Sequence, residues 1–538
     1  MSQFTLTFID TTDIQGYVFS SNRLRENIGA SYLVSAATGE WVEESLEKLG
    51  ILKDRQTKAI ESSNCNAELI YSGGGNVLII FKSKQIAIEF TQILSRKALL
   101  EAPGLNLLVA HQEFDWDTQK LYQVIQDLVT DKIERQKHER IVSAPLLGLG
   151  VTASCNSTLL PAIDKSDNYI NYEDSEEEKI YLISRETKQK LIAARQANKK
   201  LENLFQGVVN PGIYQFPYRT DNLGRTSGES SYVAVIHADG NGMGKRFKKH
   251  GDGRENRDYI NAMRELSRSI QQAGEKALIA VSKTIINSIS QAKVVGKLGE
   301  FSLKGQYYLP FRPLVYGGDD TTFVCEGRLG LELAALYLRE LEKEILADGE
   351  KLTACAGICV VKTHYPFAQA YEISEALCRE AKKFVKEKKQ FEPQGFSALD
   401  WHLAASSLSG SISEIRQREY QIKSDKEKPK KLNMRPVRLN KHDDEWRTWE
   451  GFTGVIRQFN EDEKWRNSYN KIMDLRDVLR QGSLATQEFI RNTGVGKLPS
   501  FPKCSKDIDE LARNGWLDDE CGYFDAIEAM EFYLGLDD

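Results

Sequence analysis

Three carboxylates stand at two turns of this 538-residue chain, in a pattern typical of metal-assisted phosphoryl chemistry. Asp319 and Asp320 lie in PLVYGGDDTTFVC, where two strand-forming runs flank a Gly-Gly-Asp-Asp turn and predict a β-hairpin. Asp239 ends the apolar stretch SYVAVIHAD, and the glycine-rich turn GNGMG follows it. Because adjacent carboxylates repel each other unless a cation lies between them, the expected occupant is a hard divalent ion, Mg²⁺ or Mn²⁺.

The elements that would position these turns occur twice along the chain. Patterns of strands and helices follow in the order β-α-β-β-α-β from residue 4 to about residue 112, and again from residue 231 to about residue 361. This order is the ferredoxin-like arrangement. We therefore predict an α+β fold with a first ferredoxin-like domain at 1–145, a linker subdomain at 146–228, a second ferredoxin-like domain at 229–395 and a C-terminal helical domain at 396–538.

The two copies differ at the positions that carry the chemistry. Where the second copy has Asp319 and Asp320, the first has Gly75 and Asn76 in YSGGGN, so it lacks the paired anions that hold a hard cation. Asp10 corresponds to Asp239, and we expect a structural or nucleotide-contacting role for it. The first copy is predicted to be catalytically silent.

In a ferredoxin-like sheet the first strand lies beside the central hairpin, so Asp239 is expected to meet Asp319 and Asp320. These carboxylates and the Gly240 carbonyl would fit two divalent ions that clamp a triphosphate, one activating a hydroxyl and the other neutralising the leaving pyrophosphate. Further residues could bind phosphates through backbone amides or positive charge. These are Gly240, Gly242, Gly244, Lys245, Arg246, Gly317, Gly318 and Lys382.

Structural alternatives stay open for each of these features. The two acidic turns could be solvated surface turns, since Gly and Asp are common turn residues. Lys382 could belong to a solvated basic helix face. His237 lies two residues before Asp239, and a lone strand histidine is most often packed in a core. The corresponding places of the two acidic turns in one fold favour the metal-dependent interpretation.

Composition limits the class of protein. A hydrophobic fraction of 41%, 28% charged residues and a net charge of −5 are typical of a globular protein without a global attraction for nucleic acid. No apolar run is long enough to span a bilayer, and the first residues, MSQFTLTFID, lack the pattern of a signal peptide. The eight cysteines include no Cys-x-x-Cys pair, which predicts reduced thiols. We expect a cytoplasmic protein.

Several motifs resemble one family, the large palm-domain polymerase/cyclase subunit of type III CRISPR effector complexes. They are DTTDIQGYVFSSNRLRENIGASYLV and YSGGGN in the first copy, ADGNGMGK and YGGDD in the second, and FSALDWHLAASS after it. The resemblance extends from residue 4 to about residue 405, and more distantly to GGDEF diguanylate cyclases and class III nucleotidyl cyclases. It implies two palm domains, two Mg²⁺ or Mn²⁺ ions, and conversion of ATP into cyclic oligoadenylate, a second messenger in antiviral defence.

The resemblance also implies partners and a role for the silent palm. The partners would be nucleoside triphosphates, RNA and other subunits of a type III-like complex. In the family the palms face each other with nucleotides between them, so Gly73, Gly74, Gly75 and Asn76, with the helix that carries Asn22 and Arg25, would form a second nucleotide pocket.

Three features depart from the family. No His-Asp pair of an HD nuclease domain is present, so cleavage of single-stranded DNA is not expected. Only Cys155 lies where members often have a cysteine-rich zinc element, which leaves zinc unsupported. Asn241 stands where members often have a second acidic residue, so the ligand set rests on the three aspartates. Two other functions stay open: a stand-alone cyclase that makes a cyclic mononucleotide or dinucleotide, and a non-catalytic scaffold that binds RNA and protein.

Overall fold

A computed structural model gives the fold. It describes residues 3–62, 64–139, 150–170, 180–223, 231–388, 395–403, 410–422, 429–466, 468–504 and 508–537. The acidic stretch 172–179, which the sequence pattern assigns to a solvated loop, lies outside these residues. None of the described helices has the length and apolarity needed to cross a membrane.

The first palm is a four-stranded antiparallel sheet in the order β2-β3-β1-β4, which is the ferredoxin-like order predicted from the sequence. Its strands are β1 (Gln3–Thr12), β2 (Ala67–Gly73), β3 (Asn76–Phe81) and β4 (Asn106–Asp115). Its helices are α1 (Ile14–Val18), α2 (Leu24–Ala37), α3 (Glu40–Lys48), α4 (Lys84–Glu101), α5 (Leu121–Asp127) and α6 (Glu134–Glu139), with a π-helical segment Leu128–Ile133 before α6.

The linker subdomain follows, with a short strand pair and one long helix. These are β5 (Asp164–Lys165), β6 (Leu182–Ile183) and α7 (Arg185–Leu204). Helix α7 crosses α2 so closely that a Cβ on Gly29 would lie 1.7 Å from the Lys190 carbonyl oxygen. The buried ammonium of Lys190 donates to the Tyr17 carbonyl at 2.9 Å and pairs with Glu186 at 2.7 Å. The linker helix is therefore part of the first palm's packing.

The second palm repeats the ferredoxin-like order as β11-β12-β7-β13 and adds strands beyond β13. Its strands are β7 (Tyr232–Gly240), β8 (Ile289–Ser290), β9 (Lys293–Gly296), β10 (Gly299–Ser302), β11 (Phe311–Val315), β12 (Asp320–Glu326), β13 (Ala354–Lys362) and β14 (Ala398–Leu403). Its helices are α8 (Met243–Gly251), α9 (Asn256–Asn287), α10 (Gly330–Glu342) and α11 (Phe367–Lys388).

The C-terminal segment is mostly helical, as predicted, but it also contains a small four-stranded sheet. Its helices are α12 (Ile412–Glu419), α13 (Trp449–Glu461), α14 (Tyr469–Leu479), α15 (Ser483–Thr493), α16 (Asp509–Asn514) and α17 (Phe524–Ala529). Its strands are β15 (Gln421–Ile422), β16 (Lys430–Lys431), β17 (Val437–Arg438), β18 (Trp516–Leu517) and β19 (Glu520–Cys521). Four tryptophans of this segment are buried: Trp446, Trp449, Trp465 and Trp516.

The structure corrects three details of the predicted organisation. Strand β14, which the predicted boundary placed in the C-terminal domain, pairs in parallel with β13, and β17 pairs with β14, so the palm sheet continues past residue 395. A three-stranded sheet, β10-β9-β8, stands between α9 and β11, where no strands were predicted. Where the β-α-β-β-α-β order predicts one helix between the first two strands, the structure has α2 and α3, divided at Thr38 and Gly39.

The two faces of the second palm's sheet belong to two hydrophobic cores, each of which joins the sheet to another part of the chain. One joins a face of the second palm to the C-terminal helices. The other joins the first palm, helix α7 and the opposite face of the second palm, and Ser31 on α2 donates to the Leu314 carbonyl on β11. Six cysteines are buried: Cys155, Cys325, Cys355, Cys359, Cys378 and Cys521.

Candidate active site

The ends of two neighbouring strands bring the three aspartates of the second palm together. Strand β7 runs antiparallel to β12, and Asp239 stands directly opposite Asp320. Asp319 is the last residue of the turn before β12, and its carbonyl accepts a hydrogen bond from the Gly240 amide at 3.0 Å. Strand β7 is buried from Val233 to Ala238 and opens to solvent at Asp239. The carboxylates therefore lie where the buried sheet meets the cleft.

Glycines shape this corner for specific steric reasons. A Cβ on Gly240 would lie 2.8 Å from Met243 Cγ and 2.9 Å from Asp319 Cβ, so a side chain there would push the turn away. Gly242 caps α8 with φ 68°, and Gly317 has φ 120°, both in the region that favours glycine. Gly244 lies in the first turn of α8, where a Cβ would meet no atom within 4 Å.

Lys382 on α11 is the cation that the structure places at the carboxylates. Its ammonium donates to Asp239 Oδ2 and to the Gly240 carbonyl, the latter at 3.1 Å. Burial opposes the charge of Lys382, yet the adjacent Asp239 carboxylate raises the pKa of the ammonium above its usual value. The alternative of a solvated basic face for Lys382 is therefore wrong.

Crowding of like charges changes the proton affinity of the other two carboxyls. Removal from water and the charges of Asp239 and Asp319 raise the pKa of Asp320 to about 8. Removal from water and the charge of Asp239 also raise the pKa of Asp319. Such shifts are typical of carboxylates that need a cation between them.

The residues at this corner fit a hard divalent ion by their chemistry. Among the described residues, no group of three or more His, Cys, Asp or Glu side chains is arranged to hold a metal ion as it stands. The donor set nevertheless consists of three carboxylates and one carbonyl oxygen, the ligands that Mg²⁺ and Mn²⁺ prefer. Asp320 Oδ1 is buried and accepts no hydrogen bond. A bound cation would take over oxygens that Lys382 now holds.

His237 lies directly behind Asp320. Its Nδ1 is 3.3 Å from Asp320 Oδ1, 3.4 Å from the Thr322 hydroxyl and 3.4 Å from the Tyr371 hydroxyl. Burial lowers the pKa of His237, so its ring is neutral at physiological pH. The sequence pattern indicated a packed histidine. The structure agrees that it is buried and adds that it contacts a carboxylate.

Three nearby polar residues have defined surroundings. Arg246 forms a two-pronged pair with Asp348, at 2.6 and 2.8 Å, and also donates to two carbonyls of the same loop, so its predicted help with phosphate is not supported. Lys245 on α8 is exposed. Asn241 donates to Thr353 Oγ1 at 3.2 Å and to the Phe396 carbonyl at 3.0 Å. These two bonds hold its amide group on residues outside the aspartate cluster.

The first palm repeats the same corner without the paired carboxylates. Asp10 stands opposite Asn76, just as Asp239 stands opposite Asp320, and the Thr11 amide donates to the Gly75 carbonyl at 2.8 Å. The ammonium of Lys137, on α6, lies 2.9 Å from Asp10 Oδ2. Each palm therefore pairs its strand-end aspartate with a lysine from a helix that follows its last ferredoxin-like strand. Sequence reasoning missed Lys137, because its helix pattern shows no sign of this contact.

The two turns face each other across the molecule. One cavity of about 330 Å³ is lined by Gly73, Gly74 and Gly75 of the first palm and by Gly317, Gly318, Asp319 and Asp320 of the second. A second cavity of about 330 Å³ is lined by Gly73, Gly74 and Asn76 on one side and by Gly244, Lys248, Gly317, Gly318 and Asp319 on the other. Each volume is within the range of small-molecule sites.

Helix α2, the helix predicted for the second pocket, lines the first cavity through Ser31, Val34 and Ser35, but the Asn22 and Arg25 side chains lie elsewhere. Asn22 Oδ1 accepts the Phe367 amide at 3.0 Å, where α11 begins. The Arg25 guanidinium lies over the Tyr218 ring, 4.5 Å from its centroid. Neither residue lines the cavities between the two turns.

Comparisons with known proteins agree with this architecture. Residues 232–391 match the family model described as Cas10/Cmr2, second palm domain. No curated protein matches the chain.

Solved structures of Csm1 share the fold of nearly the whole chain. The crystal structure of a Csm1-Csm4 cassette in complex with cA4 covers 98% of this chain and 69% of its own, at 13% identity and a TM-score of 0.52. The cassette in complex with cA3 covers 99% of this chain and 70% of its own, at 12% identity and a TM-score of 0.52. The crystal structure of Csm1 in T. onnurineus covers 99% of this chain and 70% of its own, at 13% identity and a TM-score of 0.52. Residues 232–391 are therefore similar to the second palm domain of Cas10/Cmr2 proteins, and the chain resembles the large palm-domain subunit of type III CRISPR effector complexes.

Proposed function

We propose that this protein is a metal-dependent nucleotidyltransferase that converts ATP into cyclic oligoadenylate-type second messengers in type III CRISPR-like antiviral defence. One observation carries the proposal. Asp239, Asp319 and Asp320 meet at the ends of adjacent strands, and their turn faces the turn of Gly73, Gly74, Gly75 and Asn76 in the first palm across two cavities.

The proposed roles follow from what each residue can do. Asp239, Asp319 and Asp320 would hold two divalent ions, Mg²⁺ or Mn²⁺, which when bound make a ribose hydroxyl more acidic and neutralise a leaving pyrophosphate. The amides of the Gly240–Gly244 turn and the start of α8 favour phosphate oxygens. Lys382 would exchange Asp239 for a phosphate, and the exposed Lys245 would add positive charge near the same turn.

The silent palm would supply the second nucleotide site. Two nucleotides must lie side by side for a hydroxyl of one to reach the α-phosphate of the other. The turn of Gly73, Gly74, Gly75 and Asn76 lines both cavities with few side-chain atoms, which leaves room for a nucleotide opposite Asp319. A second nucleotide site would give the palm without paired carboxylates a role in the reaction.

Structures of related fold support the choice of substrate and partners. Csm1-Csm4 cassettes are known in complex with cA4, with cA3 and, at a TM-score of 0.50 and 13% identity, with pppApApA. By this analogy we propose ATP as substrate, linear adenylates as intermediates and a partner of the Csm4 kind. RNA is proposed as a further partner of such a complex.

The test is to incubate the purified protein with each of the four ribonucleoside triphosphates and Mg²⁺ or Mn²⁺, with and without RNA, and to identify products by mass spectrometry. We expect cyclic oligoadenylate from ATP alone among the four. A cyclic mononucleotide or dinucleotide would replace this proposal with a stand-alone cyclase. Nucleotide binding without any product, in the presence of partner subunits as well, would favour the scaffold.

A further inference from the structure

His237 is a buried polar residue that stands directly behind Asp320. His237 is only 4% exposed, and its Nδ1 lies within 3.4 Å of the Asp320 carboxylate, the Thr322 hydroxyl and the Tyr371 hydroxyl. The His237 and Tyr371 rings meet edge to face, with centroids 5.5 Å apart, and Phe19 stacks on Tyr371 at 3.9 Å. The imidazole is therefore held in place on several sides.

The first palm provides an internal comparison. In the second palm, His237 stands opposite Thr322 on neighbouring strands, two register positions from the pair of Asp239 and Asp320. In the first palm, Phe8 stands opposite Leu78, at the same distance from the pair of Asp10 and Asn76. The palm with paired carboxylates thus has a polar pair beneath them, and the palm without them has an apolar pair. The fold itself does not require a histidine at this position.

Asp320 needs an orienting contact. It lies beside Asp239 and Asp319, and repulsion between carboxylates favours rotation of its side chain away from both. Its Oδ1 is buried next to His237, whereas its side chain as a whole is 47% exposed, so the exposed area belongs to the rest of the carboxylate. At 3.3 Å, Nδ1 and Oδ1 are in contact without the alignment of a hydrogen bond, and a small rotation of either side chain would complete one.

We propose that His237 is a positioning residue: its Nδ1 donates to Asp320 Oδ1 and so directs the other carboxylate oxygen to the cation and nucleotide in the cleft. This inference rests on the proposed function and names a residue outside the aspartate set. The Thr322 and Tyr371 hydroxyls lie 3.4 Å from the same nitrogen. Since the one hydrogen on Nδ1 is donated to Asp320, these two residues restrict the imidazole by packing beside it and not by accepting that hydrogen. Groups that orient a metal-binding side chain from behind have a known cost when they are removed.

The test uses the full-length protein at pH 7.5 and two variants. His237→Phe reproduces the residue of the first palm and removes the donor. His237→Asn keeps a donor near the place of Nδ1. Mn²⁺ binding is measured by electron paramagnetic resonance without nucleotide, and kcat and KM for ATP are measured separately. For His237→Phe we expect at least about a tenfold loss of Mn²⁺ affinity and of kcat, with KM for ATP nearly unchanged. His237→Asn should keep most of the wild-type Mn²⁺ affinity and most of the wild-type kcat.

Controls separate positioning from packing. His402 is a buried histidine of the same sheet, on β14, and His402→Phe should leave Mn²⁺ affinity unchanged. If His237→Phe does not fold, the double variant His237→Phe/Thr322→Leu is used, because it copies the apolar pair Phe8 and Leu78 of the first palm. The His237→Asn variant provides a second comparison. Wild-type Mn²⁺ affinity and kcat in His237→Phe would overturn the inference alone. A wild-type protein that binds no Mn²⁺ and makes no product would overturn the proposed function, and the inference with it.

Discussion

Single side chains at the cleft compete for the same oxygens. Lys382 holds Asp239 Oδ2 and the Gly240 carbonyl, two of the oxygens expected to bind a cation. An ammonium and a divalent ion cannot both occupy this position at close range, because each requires the same lone pairs. Lys382 therefore offsets part of the negative charge at the three carboxylates.

The first prediction concerns this competition. Lys382→Ala should raise the Mn²⁺ affinity of the nucleotide-free protein by up to about fivefold, which corresponds to the roughly 1 kcal/mol of a partly exposed ion pair. The same variant should raise the KM for ATP, since the phosphate loses its cation. The matched control is Lys383→Ala, the adjacent lysine of α11, which lines a different cavity. Weaker Mn²⁺ binding by Lys382→Ala would contradict the competition.

The three aspartates could be predicted from the sequence because their motifs are local: a Gly-Gly-Asp-Asp turn and a strand that ends in Asp239. Contacts made by long side chains could not be predicted. Arg246 was a candidate for phosphate binding, yet Asp348, 102 residues away, holds it. The contacts of Lys137 and of His237 likewise depend on side chains that only the folded sheet brings together.

Strand register and one tight turn decide where the carboxylates lie. The contact of Gly240 with Met243 and Asp319 holds the end of β7 against the hairpin, so the site depends on backbone packing as much as on its charges. Gly240→Ala should destabilise the protein by about 1–3 kcal/mol and displace Asp319, because the added methyl overlaps two side chains.

Gly244→Ala is the matched control, four residues further along the same turn and helix. A Cβ there meets no atom within 4 Å, so its effect on the free energy of unfolding should stay below about 1 kcal/mol. Urea unfolding of both variants provides the measurement. Equal stability of the two alanine variants would contradict the prediction that the close contact of Gly240 with Met243 and Asp319 stabilises the fold.

Strand β14 yields a prediction about pH. Burial, together with the charges of Arg435 and Arg416, lowers the pKa of His402 to about 3. The unfolded chain takes up a proton near pH 6.5, whereas the folded chain does not until about pH 3. His402 therefore costs stability as the pH falls below about 6.5, by about 2 kcal/mol between pH 7 and pH 5.

Urea unfolding at these two pH values tests this prediction. His402→Phe should remove that share of the pH dependence, because phenylalanine does not titrate. The quantity to compare is the difference in the free energy of unfolding between wild type and variant at each pH, because this difference cancels the effect of the other titrating groups. An unchanged loss of stability in His402→Phe would place the titration elsewhere.

The order of the main elements could be predicted because strand and helix periodicities are strong over long stretches, and because the order repeats. Short or unusual elements could not be predicted in this way. The strands β8, β9 and β10 are two to four residues long, too short for a clear alternation. Strand β14 is buried at every residue, so nothing in its pattern shows that its partner is β13.

The linker helix and the two palms form one packed unit. Gly29 on α2 allows α7 to approach to contact distance, and α2 in turn touches β11 of the second palm through Ser31 and Leu314. The relative position of the palms, and with it the space between their turns, therefore depends on this crossing.

Gly29→Ala should separate α2 from α7 and cost about 3 kcal/mol, since the added methyl would meet backbone atoms. Gly454→Ala, in the middle of α13 with no atom within 4 Å of the new Cβ, should be neutral or stabilising by up to about 1 kcal/mol. Thermal unfolding monitored by circular dichroism distinguishes the two. A Gly29→Ala protein as stable as Gly454→Ala would contradict the close crossing.

The central claim is that the carboxylates of one palm, facing the silent turn of the other, join ATP molecules. The most direct measurement is the mass spectrum of products formed from ATP and Mn²⁺, with and without RNA, by wild type, Asp319→Ala/Asp320→Ala and the control Asp443→Ala/Asp444→Ala, which removes two exposed aspartates of the C-terminal segment. We predict cyclic oligoadenylate from wild type and control, and none from Asp319→Ala/Asp320→Ala, with the same circular dichroism spectrum for all three. Continued turnover without Asp319 and Asp320 would contradict the account.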